Sequence, residues 1–422
     1  MKRTVASVLM LILLLLPTCY AAVAARMDGE AALLKADGSE IIPNGVYTDI
    51  APLGDGFFAA LNDDGYALMN EDGGLLSQSR YEAIRRVNGV LLAELDGLWG
   101  LLAEDGTPMG EFAYTNIVID ANGSGWAISG NPNDSRSDRL LCLSADGTAR
   151  ETQLYVTWMD DEASDGLLAI RTARSGLCGY CDAKGNMVIH AQYDSASEFK
   201  SGLAVVTGGG KCGVINTSGK TVADIEYDFA DISASGVIVL AREGMALALR
   251  GDGGEIARFE GDNLSIGILG DGFALDDGES CRAFDDAGNE LISAPSAAAF
   301  IEGIDGQIII SDGSWGEECV SLSGTQAQYQ NLYPLGKAGE RGIYAYMRAN
   351  TARYTNDILN ETQLSTDMDS ARYGVVDSNG KILIEANYLS VCFLGEERLL
   401  LQSESAWQMT DINGKVYWEC KK

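Results

Sequence analysis

Residues 211–230, KCGVINTSGKTVADIEYDFA, decide the fold, because the same order of residue types returns several times along the chain. An aromatic residue or a cysteine is followed by glycine, a short apolar run, a turn that ends in glycine, a second apolar run and a tyrosine. Three further copies are clear: LWGLLAEDGTPMGEFAYTNI at 98–117, LCGYCDAKGNMVIHAQYDSA at 177–196 and RYGVVDSNGKILIEANYLSV at 372–391. A pattern of residue types that returns along the chain in this way is typical of a tandem array of small structural units.

The turn glycines measure the period of this repeat. Seven of the ten gaps between consecutive turn glycines are 33 to 36 residues long, and one gap of 56 residues marks an insertion. The chain therefore holds about eleven units. The glycines are Gly38, Gly73, Gly106, Gly147, Gly185, Gly219, Gly253, Gly288, Gly324, Gly380 and Gly414.

Each unit has the pattern of a β-meander. In residues 99–129, short apolar runs are separated by turn residues, and Asp105-Gly106 is a hairpin signal in which we expect both residues to take positive φ. No segment shows a sustained helical period. We therefore predict an all-β fold of tandem β-meander repeats of about 34 residues. The array is either closed like a propeller or open as a superhelical β-repeat array, since eleven units exceed the usual range of about four to eight blades.

The pattern resembles the WG-repeat (KWG-type) family of bacterial repeat proteins over essentially the whole chain after its N-terminal segment. Trp99-Gly100 carries the dipeptide that names the family, whereas Trp315-Gly316 lies out of register. In other units Cys178 or Cys212 stands at the tryptophan position. The resemblance implies a repeat fold and supplies no catalytic residues.

The N-terminal segment has the features of a secretory signal peptide. A basic start precedes an apolar run at 5–16, which is too short to span a bilayer, and small residues follow. We predict a signal peptide at 1–25, cleaved after Ala24 or Ala25, and a WG-like β-repeat domain at 26–422. The alternatives are an uncleaved anchor and a lipid anchor at Cys19, which the weak lipoprotein-like sequence before it leaves open.

The net charge and the predicted location limit the classes of molecule that this protein could bind. The formal net charge of −31 at pH 7 repels nucleic acid, so we expect no nucleic-acid partner. No later apolar run is long enough to form a transmembrane segment. We expect an extracytoplasmic protein, either secreted or associated with the cell surface.

Few residues in the sequence are candidates for catalysis, redox chemistry or metal binding. The motif Cys178-Gly-Tyr-Cys181 suggests a metal or redox site, but residues three apart on a strand point to opposite faces, so we interpret both as buried structural thiols. His190 is the only histidine, which argues against catalysis by a histidine-dependent triad. The acidic residues at 160–162 and the oxygen-rich segment 131–138 are interpreted as solvated loops rather than as acid–base or calcium sites. We predict no cofactor and no metal.

The insertion, near 338–370, is the candidate binding face, since insertions in repeat arrays often carry function. It adds aromatic and basic residues to an acidic protein. The alternative is a tolerated surface insertion without a role. The candidate binding residues are Tyr344, Tyr346, Arg348, Arg353 and Tyr354.

These observations favour a non-catalytic binding module for an unidentified extracellular protein or glycan. One alternative is a carboxylate-dependent hydrolase acting on extracellular glycans, which needs two acidic residues from different units to converge. The other is a purely structural surface protein, which would bind no ligand saturably.

Overall fold

The computed structural model describes residues 22–27, 29–77, 81–129, 138–144, 146–296, 298–311, 320–356, 361–395 and 397–421, without the side chains of 352–365. Every regular element in these residues is a β-strand, so the predicted all-β fold is confirmed. Within the same residues there is no helix long and apolar enough to cross a bilayer.

The strands of the first half of the chain form antiparallel meanders, in which successive strands are neighbours in the sheet. They are β1 (Ala22–Met27), β2 (Glu30–Lys35), β3 (Glu40–Tyr47), β4 (Asp49–Gly54), β5 (Phe57–Asn62), β6 (Gly65–Asn70), β7 (Ala83–Val87), β8 (Val90–Leu95), β9 (Leu98–Leu102), β10 (Asn116–Ile119), β11 (Gly125–Ser129), β12 (Asp138–Leu143), β13 (Ala149–Ser164), β14 (Leu167–Thr172), β15 (Cys178–Asp182) and β16 (Met187–Tyr193).

The second half continues in the same way, with four strands to each sheet. Its strands are β17 (Ser195–Ala196), β18 (Leu203–Gly208), β19 (Lys211–Asn216), β20 (Thr221–Tyr227), β21 (Phe229–Ile232), β22 (Ile238–Arg242), β23 (Met245–Leu249), β24 (Glu255–Glu260), β25 (Ser265–Leu269), β26 (Gly272–Asp276), β27 (Ser280–Phe284), β28 (Glu290–Pro295), β29 (Ala299–Glu302), β30 (Ile308–Ser311), β31 (Val320–Leu322), β32 (Gln328–Tyr329), β33 (Asn331–Ala338), β34 (Arg341–Asn356), β35 (Glu361–Asp377), β36 (Ile382–Tyr388), β37 (Ser390–Gly395), β38 (Arg398–Gln402), β39 (Ala406–Asp411) and β40 (Val416–Lys421).

Eleven repeat units can be counted in the described residues. The first three units are β1–β3, β4–β6 and β7–β9, and from β17 onward each group of four strands is one unit. The fourth and fifth units share β13, whose first half pairs with β12 and whose second half pairs with β14. This shared strand joins the two units into one seven-stranded sheet, β10–β16.

The pairing of the third and fourth strands explains the residue pattern of the repeat. Cys178 lies opposite Tyr193, and Cys212 lies opposite Tyr227 in the next unit. The fourth strand bulges over the glycine that follows each cysteine. A Cβ atom on Gly179 would lie 2.5 Å from the backbone oxygen of Ile189, so this position has room only for glycine.

The turn between the third and fourth strands differs from the prediction. Gly106 has a φ of 81°, but Asp105 is not in the positive-φ region, so the expectation for both residues was wrong. The Gly106 N–H donates to the Ala103 oxygen and the Ala103 N–H donates to the Thr107 oxygen, each at 2.9 Å. The loop is thus a longer type of hairpin with a single left-handed glycine.

The core lies between successive units, because each sheet buries apolar side chains on both of its faces. One cluster joins Leu33 of the first unit to Phe58 of the second, and another joins Tyr180 of the fifth to Phe199 of the sixth. The first strands of successive units contact one another, as β4 does with β7 and β25 with β29. The first strands therefore face the middle of the assembly.

The first and last units pack against each other. Leu34 of β2 lies in one buried cluster with Met409 of β39 and Trp418 of β40. Trp418 Nε1 donates a hydrogen bond of 2.8 Å to the carboxylate of Glu40. The units therefore form a closed ring, which is the propeller-like arrangement of the two that the repeat pattern had left open.

Candidate binding site

The insertion near 338–370 is an extended β-hairpin. The inner part of β34 pairs with the inner part of β35 within the sheet, and the pairing continues outward from Asn350↔Asp367 to Asn356↔Glu361. The inner and outer parts are separated by an irregularity between Arg348 and Asn350. The insertion is thus regular antiparallel structure.

The five predicted binding residues do not form one exposed site. Tyr344 and Tyr346 are both 0% exposed and belong to the core between the ninth and tenth units. The Tyr344 hydroxyl lies 3.0 Å from Gln307 Oε1 and accepts a hydrogen bond from the Ile304 N–H. Both tyrosines therefore stabilise the sheet packing, and their proposed role as surface contacts is corrected.

The other three candidates lie further along β34. Arg348 is exposed, with its guanidinium 5.6 Å from the centre of the Tyr346 ring. The backbone of Arg353 and Tyr354 pairs with β35, but their side chains lie outside the described residues. Of the predicted set, Arg348 is the one residue whose described side chain is available to solvent.

A cleft of about 430 Å³ lies on the ring at the ends of the first strands of the seventh, eighth and ninth units. The segments that line it are 231–234 at the end of β21, 268–270 at the end of β25, and 300–302 in β29, together with Lys200 of the sixth unit. Each segment lies at or near the turn that follows a first strand. The cleft is thus built by the ring and not by any single unit.

The cleft has apolar walls and acidic edges. Ile268, Leu269, Phe300 and Ile301 supply the apolar surface, and Ile301 is unusual because it is 53% exposed. Concave apolar surface with a few polar groups is the usual character of a ligand site. Asp231, Glu302 and Lys200 are the charged residues of the lining.

Carboxylates from two units converge beside Lys200. Glu162 of β13 and Glu198, which follows β17, share a side-chain hydrogen bond, and this contact raises the pKa of Glu162. Burial raises the pKa of Asp160, which also lies near Glu198. Lys200 Nζ lies 3.4 Å from Glu198 Oε1. The group holds more negative than positive charge, so a cation placed here would be stabilised.

The two cysteines of the C-x-x-C motif point to opposite faces of their sheet, as predicted. Cys178 lies in the cluster shared with the sixth unit, whereas Cys181 lies in the cluster shared with the fourth. Both are buried, at 1% and 0% exposure, and burial raises the pKa of both thiols. The interpretation of buried structural thiols is confirmed.

His190 is exposed on β16 and is not part of the cleft lining. Residues 131–137 of the oxygen-rich segment and Trp315 lie outside the described residues. Among the residues that the structure describes, no three histidine, cysteine or acidic side chains are grouped so as to hold a metal ion.

Sequence reasoning missed the cleft because its residues come from four units and meet only through the curvature of the ring. Phe300 and Ile301 look in the sequence like an ordinary apolar strand. One signal was available, since Lys200 and Glu302 both lie near the turn after a first strand. The position of a residue within its own repeat does not say how far it lies from a residue in another unit. That distance depends on the curvature of the ring.

The closed ring of small antiparallel meanders places this chain in the class of β-propeller-like repeat proteins. Two segments, residues 179–212 and 213–240, match the family model of the WG containing repeat. The recognition of WG-type repeats in the sequence is therefore confirmed over these residues. No curated protein matches the sequence.

Several solved structures show a limited similarity. Kluyveromyces lactis Hsv2 is 11% identical, with a TM-score of 0.31 over 66% of this chain and 94% of that chain. A eukaryotic initiation factor is 9% identical, with a TM-score of 0.38 over 87% of this chain and 84% of that chain. The WD40 domain of Neurospora crassa Pan2 is 10% identical, with a TM-score of 0.26 over 60% of this chain and 85% of that chain. Such low scores carry no information about function.

Proposed function

We propose that this chain is an extracytoplasmic, non-catalytic binding module, and that the cleft at 231–234, 268–270 and 300–302 binds a segment of a partner polypeptide. The observation that carries the proposal is the cleft itself, which has a volume of about 430 Å³ and an exposed apolar residue in its lining. The proposed location rests on the signal-peptide features of residues 1–25.

The apolar part of the cleft favours a polypeptide side chain as the ligand. Ile301 leaves about half of its surface in water, and a partner that covered it would remove this apolar surface from water. Full burial of an exposed isoleucine side chain contributes about 1.5–3 kcal/mol, so covering the exposed half of Ile301 contributes on the order of 1 kcal/mol. An apolar side chain of a partner, placed against Ile301, would recover this free energy.

The charges favour a basic residue next to that apolar side chain. Asp231 and Glu302 lie at the cleft, and Glu162 and Glu198 lie beyond Lys200. The net charge of −31 attracts basic partners from a distance. The proposed ligand is therefore a protein segment in which an apolar residue is flanked by lysine or arginine.

The glycan hydrolase alternative receives less support. It needs two carboxyl groups from different units, and Glu162 and Glu198 meet that condition. Their carboxyl groups interact directly, whereas glycosidase carboxyl pairs are separated by about 5 Å or more to hold the sugar linkage between them. The pair suits the attraction of a cation better than the cleavage of a sugar linkage.

A peptide-binding measurement tests the proposal. The probes are a fluorescent peptide of alternating lysine and leucine, its glutamate and leucine counterpart, and soluble cell-wall glycan fragments. We expect saturable binding of the lysine peptide alone, weakened about tenfold by Ile301→Ser and further weakened by salt.

The matched control is Leu291→Ser, which changes another exposed apolar strand residue, 56% exposed and outside the cleft lining. It should leave the affinity unchanged. Equal weakening by both substitutions would contradict the location. Binding of the glycan fragments in place of the peptide would contradict the ligand class, and no saturable binding of any probe would favour a structural role.

A further inference from the structure

The first strand of the ring overlaps the end of the segment that resembles a signal peptide. β1 comprises Ala22–Met27 and pairs along its length with β2, from Ala22↔Lys35 to Met27↔Glu30. A cleavage after Ala25 would remove four of its six residues. The structure therefore bears on where the chain is processed.

The residues that such a cleavage would remove are part of the core. Ala22 is 2% exposed and packs with Leu33 and Phe58 between the first and second units. Ala25 is 0% exposed and packs with Leu400 and Trp407 of the last unit. β1 thus contributes to both interfaces of the first unit, including the one that closes the ring.

The repeat pattern gives independent support. Residues 24–34, AARMDGEAALL, and residues 51–61, APLGDGFFAAL, share an alanine, an Asp-Gly turn and a following apolar strand at the same spacing. Gly29 and Gly56 both have positive φ, 79° and 78°, as this turn requires. Residues 22–27 are therefore the first strand of a repeat unit by sequence as well as by packing.

We infer that processing cleaves the chain before Ala22, so that the mature protein keeps the whole of β1. Hydrolysis of one peptide bond between Leu16 and Ala22 consumes one water and yields a new carboxylate and a new N-terminal ammonium group. Two bonds in that interval fit known cleavage rules. One is Ala21–Ala22, with small residues at Cys19 and Ala21, and the other is Thr18–Cys19, which precedes a lipidated cysteine.

Cleavage within β1 would destabilise the first unit of the ring. After cleavage behind Ala25, β2 would have no partner along most of one side, and its backbone N–H and C=O groups there would lose their hydrogen bonds. The side chains of Leu34 and Leu400 would lose part of their cover. The ring would be weakened where its two ends meet.

The first test is the N-terminus of the exported protein. The full precursor is expressed in an exporting bacterial host, and the mature chain is examined by N-terminal sequencing and intact mass. We expect the first residue to lie between Pro17 and Ala22, and the intact mass separates a lipidated Cys19 from a free one. A first residue at Val23 or later, or an uncleaved chain, overturns the inference.

The second test compares the stabilities of two chains, 22–422 and 26–422, by urea unfolding. We expect a lower midpoint for 26–422. A third chain, 22–418, is the control, since it loses Lys422 and the last three residues of β40, where Glu419 and Lys421 are exposed. Equal midpoints for 22–422 and 26–422 would overturn the inference. The inference about cleavage rests on the proposed export of the protein but not on the proposed ligand. Neither test involves peptide binding, so the two proposals can fail separately.

Discussion

At the scale of single residues, the repeat positions serve packing. Cys178 and Cys212 stand where Trp99 stands in its unit, and each of the three lies opposite the tyrosine of its own unit. The glycine that follows each of them makes room for the bulge of the fourth strand, as Gly179 does beneath Ile189. The interacting carboxyl groups of Glu162 and Glu198 lie elsewhere, near the ends of two first strands.

The pair of Glu162 and Glu198 gives the first prediction. The pKa of Glu162 is raised above its ordinary value of 4.5 by the hydrogen bond with Glu198 and by the repulsion between the two charges. A carboxyl with a raised pKa in the folded chain stabilises the fold below its unfolded pKa. That stabilisation is lost as the pH rises through the raised folded value.

Glu162→Gln should therefore increase the free energy of unfolding at about pH 7 and have little effect at about pH 4. The gain should be below about 1 kcal/mol, because Glu162 is exposed and solvent screens the pair. Urea unfolding at both values of pH measures it. Glu104→Gln, at another exposed glutamate, is the control. A gain that is equally large at the lower pH would contradict the assignment.

At the scale of elements, the long hairpin β34–β35 has two parts with different roles. Its inner part, from Ile343↔Asp377 to Arg348↔Arg372, belongs to the sheet of the tenth unit and carries the buried Tyr344 and Tyr346. Its outer part extends beyond that sheet. The segment 338–370, placed by the long gap between turn glycines, therefore cuts across both parts.

Deletion of 351–366, with Asn350 and Asp367 joined by a two-glycine turn, should leave the unfolding midpoint nearly unchanged. The inner pairing is retained, and a shorter closed loop costs little. Deletion of 338–370 should abolish cooperative unfolding, because it removes the whole of β34 with both buried tyrosines. Circular dichroism during thermal unfolding measures both. A large destabilisation by the shorter deletion would show that the outer part also packs on the ring.

At the scale of the whole molecule, closure of the ring joins residues from the two ends of the chain. Trp418 donates to Glu40, and the Arg398 side chain donates to the backbone oxygen of Ala36 at 3.2 Å. The turn glycine Gly38 lies against the backbone of Tyr417. These contacts all lie between the first and last units.

Gly38→Ala should weaken this closure. The residue has a φ of 88°, and an added Cβ would overlap the Tyr417 backbone oxygen. Gly324→Ala is the matched control, since its φ is 80° and nothing lies within 4 Å of its Cβ position. Both substitutions incur a backbone cost of about 1–2 kcal/mol. Gly38→Ala should lower the free energy of unfolding by more than Gly324→Ala does, as measured by a urea titration. Equal losses for the two substitutions would indicate that the two ends of the chain do not pack as described.

The sequence by itself determined the local features of this protein. The spacing of the turn glycines predicts the all-β meanders and their number, because turns and strand alternation depend on residues that are close in the chain. The same reasoning correctly put Cys178 and Cys181 on opposite faces. It was wrong for Tyr344 and Tyr346, because aromatic composition does not distinguish a side chain at an exposed site from one in the core.

Only the tertiary structure decided how the units are arranged. Whether the array closes depends on the small rotation between neighbouring sheets, summed over eleven units, and no local pattern reports that sum. The contact of Leu34 with Met409 and the cleft between Lys200 and Glu302 are both products of the closed ring. The candidate site could not be predicted from the sequence, because its residues are brought together by curvature and not by their spacing.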